Sequence, residues 1–179
     1  MITMKAKKDL HLATQLAASI RLLCLDVDGT LTDGRLYVHN GTVGRAFSVL
    51  DGLGIQRFIT AAGTAAIITA ADEEHGGVDI RLRAQQIGIR HIYIGVKDKL
   101  AVMQQLCLAE QVTAAETAFV GDDLPDLPPM QHAGFAAAPA SAVTEVLSTA
   151  HYIATAPAGG GAVREICEFI LQAQQTTVA

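Results

Sequence analysis

At 179 residues the chain is long enough to bury a sizeable core, and residues 1–179 read as one domain. Half of the residues are hydrophobic but only 4% are aromatic, which favours close helix-on-sheet packing over an aromatic-lined pocket. A formal charge of −5 with no basic run argues against nucleic acid or an anionic membrane surface as a partner.

Lys5, Lys7 and Lys8 open the chain, but Asp9, His11, Thr14 and Gln15 break the uninterrupted apolar run that a signal peptide needs. No hydrophobic stretch approaches the roughly 20 residues that span a bilayer. Cys24, Cys107 and Cys167 lie far apart in apolar segments and read as buried, reduced thiols. The expected compartment is the cytoplasm.

In chain order, Leu12 and Leu16 sit four apart in Ala-rich company and predict a leading helix over 10–19. Leu22 to Leu25 is apolar throughout, as a strand buried on both faces of a parallel sheet must be. Residues 35–39 and 45–49 alternate around the Asn40-Gly41 pair and predict a β-hairpin with 40–44 as its connection. Helices are expected over 51–62, 72–86, 97–110, 141–149 and 162–174, and strands over 64–69, 91–94, 117–120, 134–138 and 152–154. Gly76-Gly77 costs about 1 kcal/mol per glycine relative to alanine and predicts a break near the start of the 72–86 helix. Pro125, Pro128 and Pro129 restrict their loop to short helical pieces. Strands alternating with helices predict a three-layer αβα, Rossmann-like fold with a mainly parallel sheet.

Chemistry gathers where the strands end. Asp26 and Asp28 follow the first strand directly, Gly29 permits a sharp turn, and Thr30 adds a hydroxyl beside them. Two carboxylates at this spacing suit a hard divalent cation such as Mg²⁺, with one as nucleophile and the other moving protons. Taken alone, the pair also fits a solvated turn after a strand. Asp122, Asp123 and Asp126 follow a second apolar segment, Thr69 ends the 64–69 strand, and Lys97 and Lys99 precede a helix. The histidines follow no metal-ligand spacing, so His39 and His75 receive no role.

Acid, hydroxyl, lysine and acid in this order resemble the four motifs of the haloacid-dehalogenase (HAD) phosphatases: Asp26 to Thr30, Thr69, Lys99, and Gly121 to Asp123. Leu31 to Gly34, Asp51 to Ile55, Gly95 to Leu100, Gly121 to Leu127 and Gly161 to Glu165 narrow the resemblance to the capless branch containing the 3-deoxy-D-manno-octulosonate 8-phosphate and nonulosonate 9-phosphate phosphatases. The resemblance covers nearly the whole chain. It implies an aspartyl-phosphate on Asp26, acid–base work by Asp28, and phosphoryl contacts from Thr69 and Lys99. It also implies Mg²⁺ held by Asp26, the main-chain carbonyl of Asp28, and Asp122, with Asp123 and Asp126 behind. Lys99 is preferred to Lys97 because it directly precedes Leu100 and the helix, as the family's lysine does. The hairpin, about 33–50, would replace a cap domain and mediate contacts in a homotetramer. Thr32, Asp33, Ser48 and Arg164 are candidate contacts to a phosphorylated sugar, although Thr32 and Ser48 also read as turn residues.

The chain departs from the octulosonate pattern at Leu50, Ala70, Ala71 and Gly160, where Arg or Gly-Arg is usual. The expected substrate preference is therefore weak or altered, with Arg35, Arg45, Arg57 or Arg81 as replacements for the missing cations. Two rival readings are a non-catalytic oligomeric scaffold and a receiver-type signalling domain. The intact acids and the Asp-x-Asp spacing count against them.

Overall fold

A computed structural model describes residues 9–177, apart from the side chains of His75 and Thr177. Lys5, Lys7 and Lys8 lie outside the described residues, as does the side chain of His75. Helix α1 (Leu10–Ala17) is capped by Asp9, whose carboxylate accepts from the backbone N–H groups of His11 and Leu12. Strand β1 (Leu22–Leu25) follows, then a flap formed by β2 (Tyr37–His39) and β3 (Thr42–Gly44), and α2 (Val49–Thr60). Next come β4 (Thr64–Ile68), α3 (Glu73–Gln86), β5 (His91–Tyr93), α4 (Lys99–Ala109) and β6 (Thr117–Val120). The chain continues through α5 (Leu127–His132), β7 (Phe135–Ala138), α6 (Thr144–Thr149), β8 (Tyr152–Ile153) and α7 (Ala162–Thr177).

Six strands form one parallel sheet in the order β5-β4-β1-β6-β7-β8, so β1 lies inside it, between β4 and β6. The pleat sends Leu23 and Leu25 into one apolar layer and Leu22 and Cys24 into the other. The first layer is filled by Ala13 and Ala17 of α1, Ile55 and Phe58 of α2, Ile80 and Ala84 of α3, and Ile166 and Ile170 of α7. Met103 and Leu106 of α4, Met130 of α5 and Val146 of α6 fill the second. This is the expected three-layer αβα arrangement. No helix among the described residues is long and apolar enough to cross a membrane.

Three local expectations are corrected. Asn40 and Gly41 both have positive φ, 48° and 76°, as a two-residue type I′ turn requires. Thr42 therefore pairs directly with His39, and the second hairpin strand is Thr42–Gly44 rather than 45–49. Ser48 instead caps α2 through its hydroxyl, which accepts from Asp51 N. The second correction concerns α3, which runs unbroken through Gly76-Gly77. Asp72 caps its start, and a two-bond fork from Arg81 to Glu73 spans the glycine pair, at 2.9 Å for each bond. Helix α4 begins at Lys99 rather than at Lys97, because Asp98 accepts from Ala101 N and sets the helix start.

Candidate active site

The register of the sheet brings the chemistry together. Leu25 of β1 pairs with Val120 of β6 and with Ile67 of β4, so all three chains leave the sheet at one level. Open parallel sheets place their sites at this carboxyl edge. Asp26 N still donates to Val120 O at 3.0 Å, which holds the first catalytic candidate against the second strand end. Beyond it, the Val27 carbonyl accepts from the N–H groups of Thr30, Leu31 and Thr32 and curls the loop back. Gly29 adopts φ 88°, and a Cβ there would run into the Asp122 carboxylate. Only glycine lets the β1 loop lie this close to the β6 loop.

Lys99 is buried at the first position of α4. Its Nζ lies 2.8 Å from Asp26 Oδ1 and 2.6 Å from Asp126 Oδ1. A cation in the first turn of a helix opposes the macrodipole, so its position is set by these two carboxylates rather than by the helix. Burial works against its charge, but Asp26 and Asp126 together outweigh that and hold its pKa above the usual lysine range. Asp126 turns its other oxygen to the backbone, accepting from Asp122 N at 3.0 Å and Asp123 N at 3.3 Å. Thr30 Oγ1 donates to Asp122 Oδ1 at 2.9 Å.

Two of the three neighbouring acids, Asp26 and Asp126, share one ammonium, and Asp122 stands beside them without it. Burial, with Asp126 adding to it and Lys99 opposing, raises Asp26 to about 6. Burial likewise raises Asp122 to about 7, against the Thr30 hydrogen bond and with help from the Asp26 and Asp126 charges. Asp26, Asp122 and Asp126 each present an oxygen, all within 4.8 Å of one another. A cluster of hard oxygen donors carrying excess negative charge suits a small divalent cation that takes few carboxylates.

Asp28 faces a different partner. Arg45, which leaves the flap just after β3, donates to it from Nε at 2.6 Å and from Nη2 at 3.0 Å. The same guanidinium donates from Nη1 to both Asp79 oxygens, at 3.2 and 3.4 Å. Sequence reasoning named Arg45 only as a stand-in for missing substrate arginines and did not single out Asp79. No local pattern signals either contact.

The remaining candidates are placed as follows. Thr69 is buried at the β4 end, where its hydroxyl accepts from Ala71 N. Asp123 caps a short turn through Leu124 N, and Lys97 is exposed. The Thr32 hydroxyl is buried against the Val27 carbonyl and accepts from Gly34 N. Asp33 accepts from Arg35 N, and Arg164 pairs with Glu168 on α7. Of the other arginines, Arg57 pairs with Glu168 and Arg81 with Glu73.

A phosphatase of the HAD superfamily is built on this plan: a parallel sheet whose adjacent edges offer paired acids, a hydroxyl and a lysine. Comparison with known proteins narrows the class. The 3-deoxy-D-manno-octulosonate 8-phosphate phosphatase KdsC of Yersinia pestis is 42% identical over 161 residues, covering 89% of this chain and 84% of that protein. The Escherichia coli K12 protein of the same name is 39% identical over 159 residues, covering 88% and 82%. A crystal structure of 3-deoxy-D-manno-octulosonate 8-phosphate phosphatase from Moraxella catarrhalis, in complex with a magnesium ion, a phosphate ion and a KDO molecule, matches with a TM-score of 0.86 at 38% identity, covering 92% of both chains. No family model matches the chain. The chain belongs to the 3-deoxy-D-manno-octulosonate 8-phosphate phosphatase family.

Proposed function

We propose that this protein is a Mg²⁺-dependent phosphomonoesterase that transfers the phosphoryl group of a phosphorylated sugar or sugar acid to Asp26 and then to water. The observation that carries the reading is the buried Lys99, paired with Asp26 and Asp126 beside Asp122. Asp26 and Asp122 would hold the metal, with the main-chain carbonyl of Asp28 added by family likeness. Asp123 and Asp126 would support them from behind. When bound, Mg²⁺ supplies positive charge that offsets repulsion between the phosphate dianion and the carboxylates.

A carboxylate oxygen of Asp26 attacks phosphorus as the bond to the sugar oxygen breaks, and Asp28 gives that oxygen a proton. Asp28 then takes a proton from water, whose oxygen attacks phosphorus and releases Asp26 and inorganic phosphate. Lys99 and Thr69 hold the phosphoryl oxygens as charge shifts among them.

The leading named substrate is 3-deoxy-D-manno-octulosonate 8-phosphate, because the relatives carry that name. The alternatives are a nonulosonate 9-phosphate and a less acidic sugar phosphate, the second favoured by the uncharged residues Leu50, Ala70, Ala71 and Gly160. Charge-assisted hydrogen bonds are worth about 1.5–3 kcal/mol each, so losing two arginine contacts would weaken recognition of a sugar carboxylate about a hundredfold or more. We read the chain as one domain that works as a homotetramer. Exposed Leu36, Tyr37 and Val38 on the flap fit such a contact surface. We place it in the cytoplasm, which suits three buried, unpaired cysteines.

The test is phosphate release from p-nitrophenyl phosphate and from the sugar phosphates, with Mg²⁺ and with chelator. Asp26→Asn keeps the volume and removes the nucleophile, so turnover should collapse in a folded protein. Near-normal rates from a clean Asp26→Asn preparation would remove the mechanism. A wild-type enzyme inactive on every phosphate ester would favour the scaffold reading.

A further inference from the structure

We propose that Arg45 is a positioning residue for Asp28: the flap delivers a guanidinium that fixes the plane of the proton-transferring carboxylate, and Asp79 on α3 steadies the guanidinium from behind. The inference rests on the phosphatase reading above. The Arg45 side chain is only 3% exposed, although it leaves a flap whose β2 residues are all exposed. Its Nε and Nη2 engage the two Asp28 oxygens separately, at 2.6 and 3.0 Å. Two parallel N–H···O bonds define a plane as well as a position, which one bond from a lysine cannot do. Asp28 is not among the acids that share an oxygen cluster with Asp26, and the contacts to its carboxylate described above all come from Arg45.

Anchoring the flap does not by itself require this arrangement, because well-packed apolar side chains serve that purpose without the cost of taking a guanidinium out of water beside half-buried carboxylates. The fork instead matches what Asp28 has to do. In the first step its O–H bond breaks and an O–H bond forms on the leaving alkoxide, while phosphorus exchanges its sugar oxygen for Asp26. An Asp28 oxygen must leave the fork to approach the leaving group. The bonds from Nη1 to Asp79 keep the guanidinium in place while it does so, ready to receive the carboxylate again. The seating of the flap is thereby tied to proton delivery, through a side chain that acts only by holding Asp28 and neither binds the substrate nor exchanges a proton.

The experiment compares kcat/KM on three phosphate esters for wild type, Arg45→Ala, Arg45→Lys and Asp79→Asn, all assayed with Mg²⁺. This ratio reports events up to the first irreversible phosphoryl transfer and leaves out the water step common to all substrates. p-Nitrophenolate departs without a proton, whereas glucose 6-phosphate and octulosonate 8-phosphate release alkoxides that need one. General acid catalysis is worth about 10²–10⁴-fold, so we expect Arg45→Ala to lose about tenfold or more on both sugar phosphates. Its loss on p-nitrophenyl phosphate should stay within about threefold on the same grounds. Arg45→Lys should recover part of the loss, and Asp79→Asn should shift the same ratio by less. Equal losses on all three esters would make Arg45 a structural strut and overturn the proposal. Loss on octulosonate 8-phosphate alone would make it a ligand of the substrate carboxylate and also overturn it. Wild-type turnover of p-nitrophenyl phosphate reads the phosphatase assignment separately.

Discussion

Thr30 and Asp122 meet across the gap between two strand ends, with the Thr30 hydroxyl donating to Asp122 Oδ1 at 2.9 Å. The bond orients a proposed metal-binding carboxylate, and Thr30 is fully buried. Thr30→Val keeps the shape and removes the donor. Losing an outer partner of a metal ligand typically costs about 10–100-fold in metal affinity, so the Mg²⁺ needed for half-maximal activity should rise on that scale. Magnesium activation curves of the two proteins give the comparison; superimposable curves would mean that Asp122 is held by other contacts.

Replacing Lys99 tests the charge balance of the same cluster. Lys99→Met leaves Asp26 and Asp126 buried without their shared cation. Removing one partner of a buried pair commonly costs about 3–5 kcal/mol. In urea titrations with chelator present we expect a loss of that order at pH 8 and a smaller one at pH 5, where Asp26, already raised to about 6, can protonate. A loss independent of pH would show that packing of the lysine stem, not its charge, is what matters.

Acidity and metal should also trade against each other in the wild-type protein. Asp26 rises from 3.8 to about 6 and Asp122 from 3.8 to about 7, both chiefly by burial. The folded state therefore binds protons more tightly than the unfolded chain across that interval. The stability from these two protons is complete below about pH 3.8 and is lost as pH rises through 6 and 7. With chelator, these groups should make melting temperature fall between about pH 5 and pH 8. Mg²⁺ favours the ionised acids, so it should raise the melting temperature more at pH 8 than at pH 5. Equal metal effects at both pH values would contradict the account.

Gly54 of α2 packs directly against Arg164 of α7. A Cβ there would lie 2.8 Å from the Arg164 Cα, a backbone atom that no rotamer change can move aside. Alanine gains about 1 kcal/mol of helix propensity, but overpacking costs about 1–3 kcal/mol. We expect Gly54→Ala to lose about 1–2 kcal/mol net on that balance. Gly44→Ala, where a Cβ meets nothing within 4 Å, is the control and should be close to neutral. Denaturant midpoints decide it, and a neutral Gly54→Ala would show that α7 can shift freely.

The strands β1 and β6 are readable in the chain because each carries a short apolar run, Leu22 to Leu25 and Ala118 to Val120, with acid close behind, and their bounds, Leu22–Leu25 and Thr117–Val120, match the expectation. The hairpin is readable as a hairpin, and Asn40-Gly41 is itself the pair that a two-residue turn with both residues at positive φ favours. The alternation over 45–49 is what points away from the register the chain adopts, in which the second strand is Thr42–Gly44. The continuity of α3 escapes local propensity because Arg81 reaches back to Glu73 across the glycines. The Arg45 contacts are hidden for a similar reason. Asp28 lies 17 residues before Arg45 and Asp79 lies 34 after it, and only the packing of the flap beside α3 brings the three together.

The place of β1 inside the sheet also has a consequence for synthesis. Leu22 pairs with Thr64 on one side and with Thr117 on the other. A growing chain therefore carries the charge-free Leu22–Leu25 run, with one edge unpaired, until Val120 has left the ribosome. Asp126 emerges later still, so a nascent chain has neither its finished sheet nor its complete acid cluster. Unpaired apolar edges that wait for distant partners are where growing chains associate wrongly. For this protein, the interval between emergence of β1 and emergence of β6 is the period in which a chaperone has the most to protect.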